Sequence, residues 1–124
     1  MPVRVLIVDD SKLARMSIIK GIGNLHPDWR CVEATTGDSA LEMCGLEPPN
    51  ILLIDFNMPG MDGLQLATKI RDSHPQIPIA LVTANIQDEI VASARRLNAV
   101  FLPKPLTQDA LEAFLSGAQL QAKQ

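Results

Sequence analysis

Several features are scarce in this chain. There are only two cysteines, Cys31 and Cys44, at no spacing that a metal site uses, and they read as buried free thiols of a reducing compartment. Positive charge is not in excess: the net charge is −3, which argues against a nucleic-acid-binding surface. No apolar run approaches the roughly 20 residues of a membrane span. The apolar stretch in "MPVRVLIVDD" is too short and wrongly flanked for a signal peptide. Internal repeats, linkers and low-complexity segments are missing. So are the Gly-rich phosphate loops of nucleotide enzymes, and no bound ATP is expected. What remains is the profile of a soluble, cytoplasmic protein with no membrane or direct nucleic-acid partner.

What is present suits one compact unit. The 124 residues are 47% apolar and 20% charged, enough for a core without staples. Five short apolar runs, at 3–8, 31–35, 51–54, 77–82 and 99–102, alternate with five segments of helical period. Four runs are almost continuously hydrophobic, as strands covered on both faces should be. The exception is "CVEAT", which carries Glu33 and reads as an edge strand. The helix candidates are "KLARMSIIKGI", "DSALEMCGL", "LQLATKIRDS", "QDEIVASARRL" and "TQDALEAFLSGAQLQ". In the last, Ala110, Leu111, Phe114, Leu115 and Ala118 form one apolar stripe, with Thr107 as its N-cap and Asn85 as a candidate cap for the helix before. Pro78 falls early in the fourth run, where its missing N–H works against ladder pairing at the start of that strand. The alternation predicts an α/β fold: a doubly wound (βα)5 flavodoxin-like sandwich around a five-stranded parallel sheet of order 2-1-3-4-5.

Ligands in such sheets bind beyond the carboxyl ends of the strands, near the point where strand order reverses. The first strand ends in Asp9 and Asp10, the third in Asp55, the fourth in Thr83 and the fifth in Lys104. Singly, each has an ordinary explanation: Asp10 or Ser11 as a helix cap, Asp55 as a turn residue before "NMPG", Thr83 as a strand residue, Lys104 as a solvated charge. Together they place three acids, a hydroxyl and an amine at one edge, and unrelated caps have no reason to supply complementary chemistry there. Two carboxylates about 4 Å apart repel by about 4 kcal/mol at an effective dielectric near 20, so three need a cation or must take up protons. Hard oxygen donors favour Mg²⁺. A cation, an ammonium and a hydroxyl around one carboxylate suit an arriving phosphoryl group, with Asp55 as the nucleophile.

"LIVDDS", "DFNMPGMDGL", "LVTA" and "FLPKP" together make the chain resemble, over essentially its whole length, the receiver domain of bacterial two-component response regulators, the CheY-like family. The resemblance implies that Asp9 and Asp10 hold Mg²⁺ and that Asp55 is the phosphorylated acceptor and a further ligand. It implies that Asn57 offers its backbone carbonyl to the same ion. Thr83 and Lys104 would contact phosphoryl oxygens, and Phe101 would be the aromatic switch that moves with Thr83. The Lys104–Pro105 bond is expected to be cis, and Gly63 to permit a close turn beside the acceptor. The side chains of Asn57 and Asn85 stand where they could orient or obstruct the hydrolytic water and so tune phosphoryl lifetime; helix capping is the other reading of Asn85.

The partners implied are a sensor histidine kinase or phosphotransfer protein as donor, and a downstream protein that reads the face of the fourth helix, fifth strand and fifth helix. The receiver would catalyse only its own phosphotransfer and dephosphorylation. Since the sequence stops one helix after Lys104, we expect a single receiver domain over residues 1–124 with no output domain; a receiver cut from a longer DNA-binding regulator is the alternative. "LNAVFLPKP" lacks the acidic pair of many dimerising receivers, and the fifth helix has no arginine to meet one, which points to a monomer. A haloacid-dehalogenase-type phosphatase would need a second Asp where Asn57 stands. A receiver fold that binds partners without phosphate is the remaining rival.

Overall fold

A computed structural model describes residues 3–84 and 87–122, with side chains as far as residue 119. Five strands and five helices alternate: β1 (Arg4–Val8), α1 (Lys12–Leu25), β2 (Arg30–Ala34), α2 (Gly37–Leu46), β3 (Ile51–Asp55), α3 (Gly63–Ser73), β4 (Ile79–Thr83), α4 (Asp88–Arg96), β5 (Val100–Pro103) and α5 (Gln108–Ala122). All strand pairs are parallel, and the sheet order is β2-β1-β3-β4-β5, the doubly wound arrangement expected.

The strands read as unbroken apolar runs because each face of the sheet has its own core. Successive side chains alternate in direction. Val5, Ile7, Ile51 and Leu53 therefore meet Ile18 and Ile22 of α1 and Leu111 and Leu115 of α5. Leu6, Val8, Leu52 and Ile54 meet Ala40 and Cys44 of α2 and Leu66 and Ile70 of α3. Cys31 is packed against the first cluster and Cys44 lies within the second, so the sheet separates the two free thiols. β3 and β4 are buried along their full length, whereas β2, with exposed Arg30 and Glu33, lies at an edge as its composition predicts.

Helix starts follow capping chemistry. Ser11, not Asp10, caps α1 by accepting from the Ala14 amide, and Thr107 accepts from the Ala110 amide at the start of α5. Asp62 and Gln65 form a reciprocal capping box at α3. The cap position of α4 is Gln87, which makes no side-chain capping bond; Asn85 lies outside the described residues. β4 begins at Ile79, two residues later than its apolar run, because Pro78 has no N–H to give the ladder; only its carbonyl takes part, accepting from the Leu52 amide. α4 ends in a Schellman arrangement, with Asn98 at φ 55° and the Ala99 amide donating to the Ala94 carbonyl.

Candidate functional site

Strand order reverses at β1, between β2 and β3, and the carboxyl ends of β1 and β3 open on the same crevice. Asp9 follows β1 and is held in place from several sides: its amide donates to the Ala34 carbonyl, and its carboxylate accepts from the Ser11 amide at 2.8 Å. Asp55 closes β3, where the Phe56 amide donates to the Val82 carbonyl and keeps the strand end paired to β4. Asp9 and Asp55 are only 3% and 4% exposed, while Asp10 is exposed. One carboxylate oxygen from each of the three acids lies within 4.8 Å of the others. The strand-end acids of the sequence therefore do converge.

Such a cluster is electrostatically costly. The Asp9 carboxyl is pushed above its ordinary value, first by burial and then by the charges of Asp55 and Asp10; the Ser11 amide and Lys104 oppose the shift. Three hard oxygen donors, two of them buried, form a donor set that suits a small divalent cation such as Mg²⁺. Asn57 is exposed in the loop two residues after Asp55, on the same rim.

Opposite the acids stands Lys104. Its Nζ donates to Asp55 Oδ1 at 2.7 Å, and its side chain is 33% exposed, so it is no freely solvated surface charge. The Lys104 amide donates to the Thr83 carbonyl, and the peptide bond from Lys104 to Pro105 is cis. Thr83, fully buried, ends β4 beside Pro103 of β5. Phe101 pairs with Leu81, two residues before Thr83 and therefore on the same face; it is half-buried.

The loop after β3 explains its glycines. Gly60 takes φ +78°, a turn conformation that favours glycine. Gly63 serves a close approach: a Cβ there would lie 2.5 Å from the Asp55 carbonyl oxygen and 2.8 Å from Phe56 Cα. Its own amide donates to the Phe56 carbonyl at 2.9 Å, which draws the start of α3 against the strand end.

One residue beside the site was not legible as part of it. Arg15 of α1 is buried and donates through Nη1 to the Asp9 carbonyl at 2.7 Å and through Nε to Glu33 Oε1 at 2.9 Å. The available signal was a cation at the inward spacing of Ile18 and Ile22, three and seven residues on.

Comparison with known proteins points to one family. The chain is 36% identical over 117 residues to the positive alginate biosynthesis regulatory protein of Pseudomonas aeruginosa, covering 92% of this chain and 46% of that protein. It is 32% identical over 115 residues to the DNA-binding transcriptional regulator NtrC of Escherichia coli, covering 92% of this chain and 24% of that one. The chain thus spans half or less of the length of these curated relatives. Among solved structures, the CheY-like receiver domain protein of Methanospirillum hungatei superposes with a TM-score of 0.89 at 25% identity, covering 99% of this chain and 98% of that one. The signal receiver domain of NarL from Mycobacterium tuberculosis gives 0.83 at 33% identity, covering 95% and 97%. The profile of the response regulator receiver domain matches residues 5–116. With its flavodoxin-like sheet and its strand-end acids, this chain belongs to the response regulator receiver domain family, the CheY-like signalling domains of two-component systems.

Proposed function

We propose that this receiver is a phosphorylation-driven switch in which Asp55 accepts a phosphoryl group from a phosphohistidine on a sensor kinase or phosphotransfer protein. The observation that carries the reading is the pairing of Lys104 Nζ with Asp55 Oδ1 at 2.7 Å opposite a cluster of three acids. A carboxylate oxygen of Asp55 attacks phosphorus. The bond from phosphorus to the donor nitrogen breaks, an acyl phosphate forms, and the leaving imidazole keeps the electron pair and is protonated by solvent. Lys104 exchanges its contact with Asp55 for a phosphoryl oxygen, and the Thr83 hydroxyl turns to another. Asp9, Asp10, Asp55 and the Asn57 carbonyl would hold Mg²⁺, which supplies positive charge to the phosphoryl oxygens. Water later attacks the acyl phosphate and returns the carboxylate; the side chains of Asn57 and Asn85 tune that rate. The domain is a signalling device, and its chemistry acts on itself alone.

The output is a shift in conformation. Thr83 and Phe101 occupy one face of neighbouring strands, so movement of one opens or fills space for the other, and a downstream protein reads the result on the α4-β5-α5 face. Turning a 1:99 equilibrium into 99:1 takes about 5.5 kcal/mol. One charge-assisted hydrogen bond supplies about 1.5–3 kcal/mol. Phosphorylation therefore shifts the population in part, and partner binding completes it.

In one form, this receiver is a cytoplasmic, stand-alone domain over residues 1–124; that β5 is not entered by an acidic pair and α5 contains no arginine favours a monomer. The second form is a receiver that governs a DNA-binding domain, and the greater length of the relatives, NtrC among them, favours it.

Intact mass after incubation with acetyl phosphate and Mg²⁺ tests the core of the proposal. A labile gain of one phosphoryl group is expected, lost in Asp55→Asn and without metal. No gain under conditions where Mg²⁺ binds would leave a module that signals by binding alone.

A further inference from the structure

Every polar backbone group of Asp9 has a partner: its amide donates to the Ala34 carbonyl at 3.1 Å, and its carbonyl accepts from Arg15 Nη1 at 2.7 Å. The second contact is the unusual one. Arg15 lies on the inward side of α1, only 9% exposed, and its Nε donates across to Glu33 Oε1 on β2 at 2.9 Å. A buried guanidinium is costly unless paired and hydrogen-bonded, so a fork ending on one carboxylate and one carbonyl constrains both ends. The Asp9 carbonyl belongs to the peptide plane that carries Asp10. Holding that oxygen holds the plane, and with it the direction in which Asp10 leaves the strand end. Asp10 is the one exposed member of the acidic cluster.

We infer that Arg15, aimed by Glu33, is a positioning residue that sets how the Asp9 and Asp10 carboxylates converge and thereby how tightly the site holds a divalent cation. This rests on reading the three acids as a cation site. The effect works through geometry rather than charge. Glu33 balances the guanidinium locally, so the pair brings little net charge to the acids. Register ties the device to the sheet: Glu33 stands opposite Ile7 in the β1–β2 ladder, so the edge strand is what aims the arginine.

Calorimetric titration of the whole chain with Mg²⁺ tests this, comparing wild type with Arg15→Met, Arg15→Lys and Glu33→Gln, beside melting curves in EDTA. Arg15→Met should weaken Mg²⁺ by about tenfold or more, the range seen when groups that orient metal ligands are removed. Arg15→Lys should fall between, because an ammonium reaches the carbonyl without forking to Glu33, and Glu33→Gln should show a smaller loss in the same direction. With acetyl phosphate, the loss should appear in the Mg²⁺ concentration for half-maximal rate and leave the plateau near wild type. Variants that melt lower but bind Mg²⁺ like wild type would make the pair a packing feature and overturn the inference. Should Arg15→Met not fold, the lysine and glutamine variants decide. A wild-type chain that binds no Mg²⁺ would overturn the cation-site reading, and this inference with it.

Discussion

Among single residues, Asp9 carries the sharpest conflict between stability and use. Its carboxyl is raised above 3.8, chiefly by burial, so in the window just above that value the native state binds more protons than the unfolded chain. Stability contributed at this position therefore falls as pH rises through the window, and if the acids hold a cation as proposed, its binding should weaken as pH falls back through it. Asp9→Asn removes the buried charge while its side-chain oxygen can still accept from the Ser11 amide. In EDTA at neutral pH the variant should be more stable than wild type, with the advantage shrinking as pH is lowered through the window, and Mg²⁺ should no longer raise its melting temperature. Melting curves at both pH values check this; a variant less stable at neutral pH would show that burial is not the dominant penalty. The strand-end acids were legible because Asp9 and Asp55 interrupt apolar runs. Arg15 was not, since a single cation in a helix looks like surface until the strand beneath it is placed.

At the level of elements, Arg71 is the tie between the lower ends of α3, β4 and α4. Its Nε donates to the Leu97 carbonyl at 2.8 Å, and its Nη1 donates to the carbonyls of Ile77 at 2.8 Å and Pro75 at 3.0 Å. These carbonyls belong to a helix end and a loop, where backbone acceptors have no ladder to join. Arg71→Met should destabilise the fold by about 2–4 kcal/mol, since hydrogen bonds to a charged donor are worth about 1.5–3 kcal/mol and several acceptors lose theirs together. Arg71→Lys should recover only part, because an ammonium cannot fork. Urea unfolding with an unchanged slope would check both; a loss below half a kilocalorie would mean water replaces the guanidinium freely. Nothing in "TKIRDSHP" announces this role, which depends on where α4 ends. By contrast, element order and the Thr107 cap were readable, because periodicity and capping are local.

For the whole molecule, the question is how a change at the carboxyl edge reaches a face formed by other elements. Thr83 and Lys104 are joined through the backbone, and Phe101 lies on the same side of the sheet as Thr83. A change at Asp55 should therefore alter β4, β5 and the helices that flank them more than α2. Hydrogen exchange with acetyl phosphate and Mg²⁺ should change protection across 94–103 and 108–115 while leaving 37–46 near its resting pattern, and Asp55→Asn should show no difference. Equal changes in 37–46, toward the β2 edge of the sheet, and in the segments around β5 at the other edge would argue for general tightening instead of a directed switch.

The sequence by itself determined the alternation of strands and helices, the parallel sheet and its order, and the residues at the strand ends, because hydrophobic period and the rules of parallel connection act on local pattern. Tertiary structure alone decided the distances that make a site of those residues: the three acids within 4.8 Å, Lys104 on Asp55, and Gly63 against the Asp55 carbonyl. It also decided the work of Arg15 and Arg71, whose partners lie 18 and 26 residues away along the chain in Glu33 and Leu97. A side chain's chemistry is written in its type, but the groups it meets are chosen by packing, and contacts between elements distant along the chain carry no signature in a single sequence.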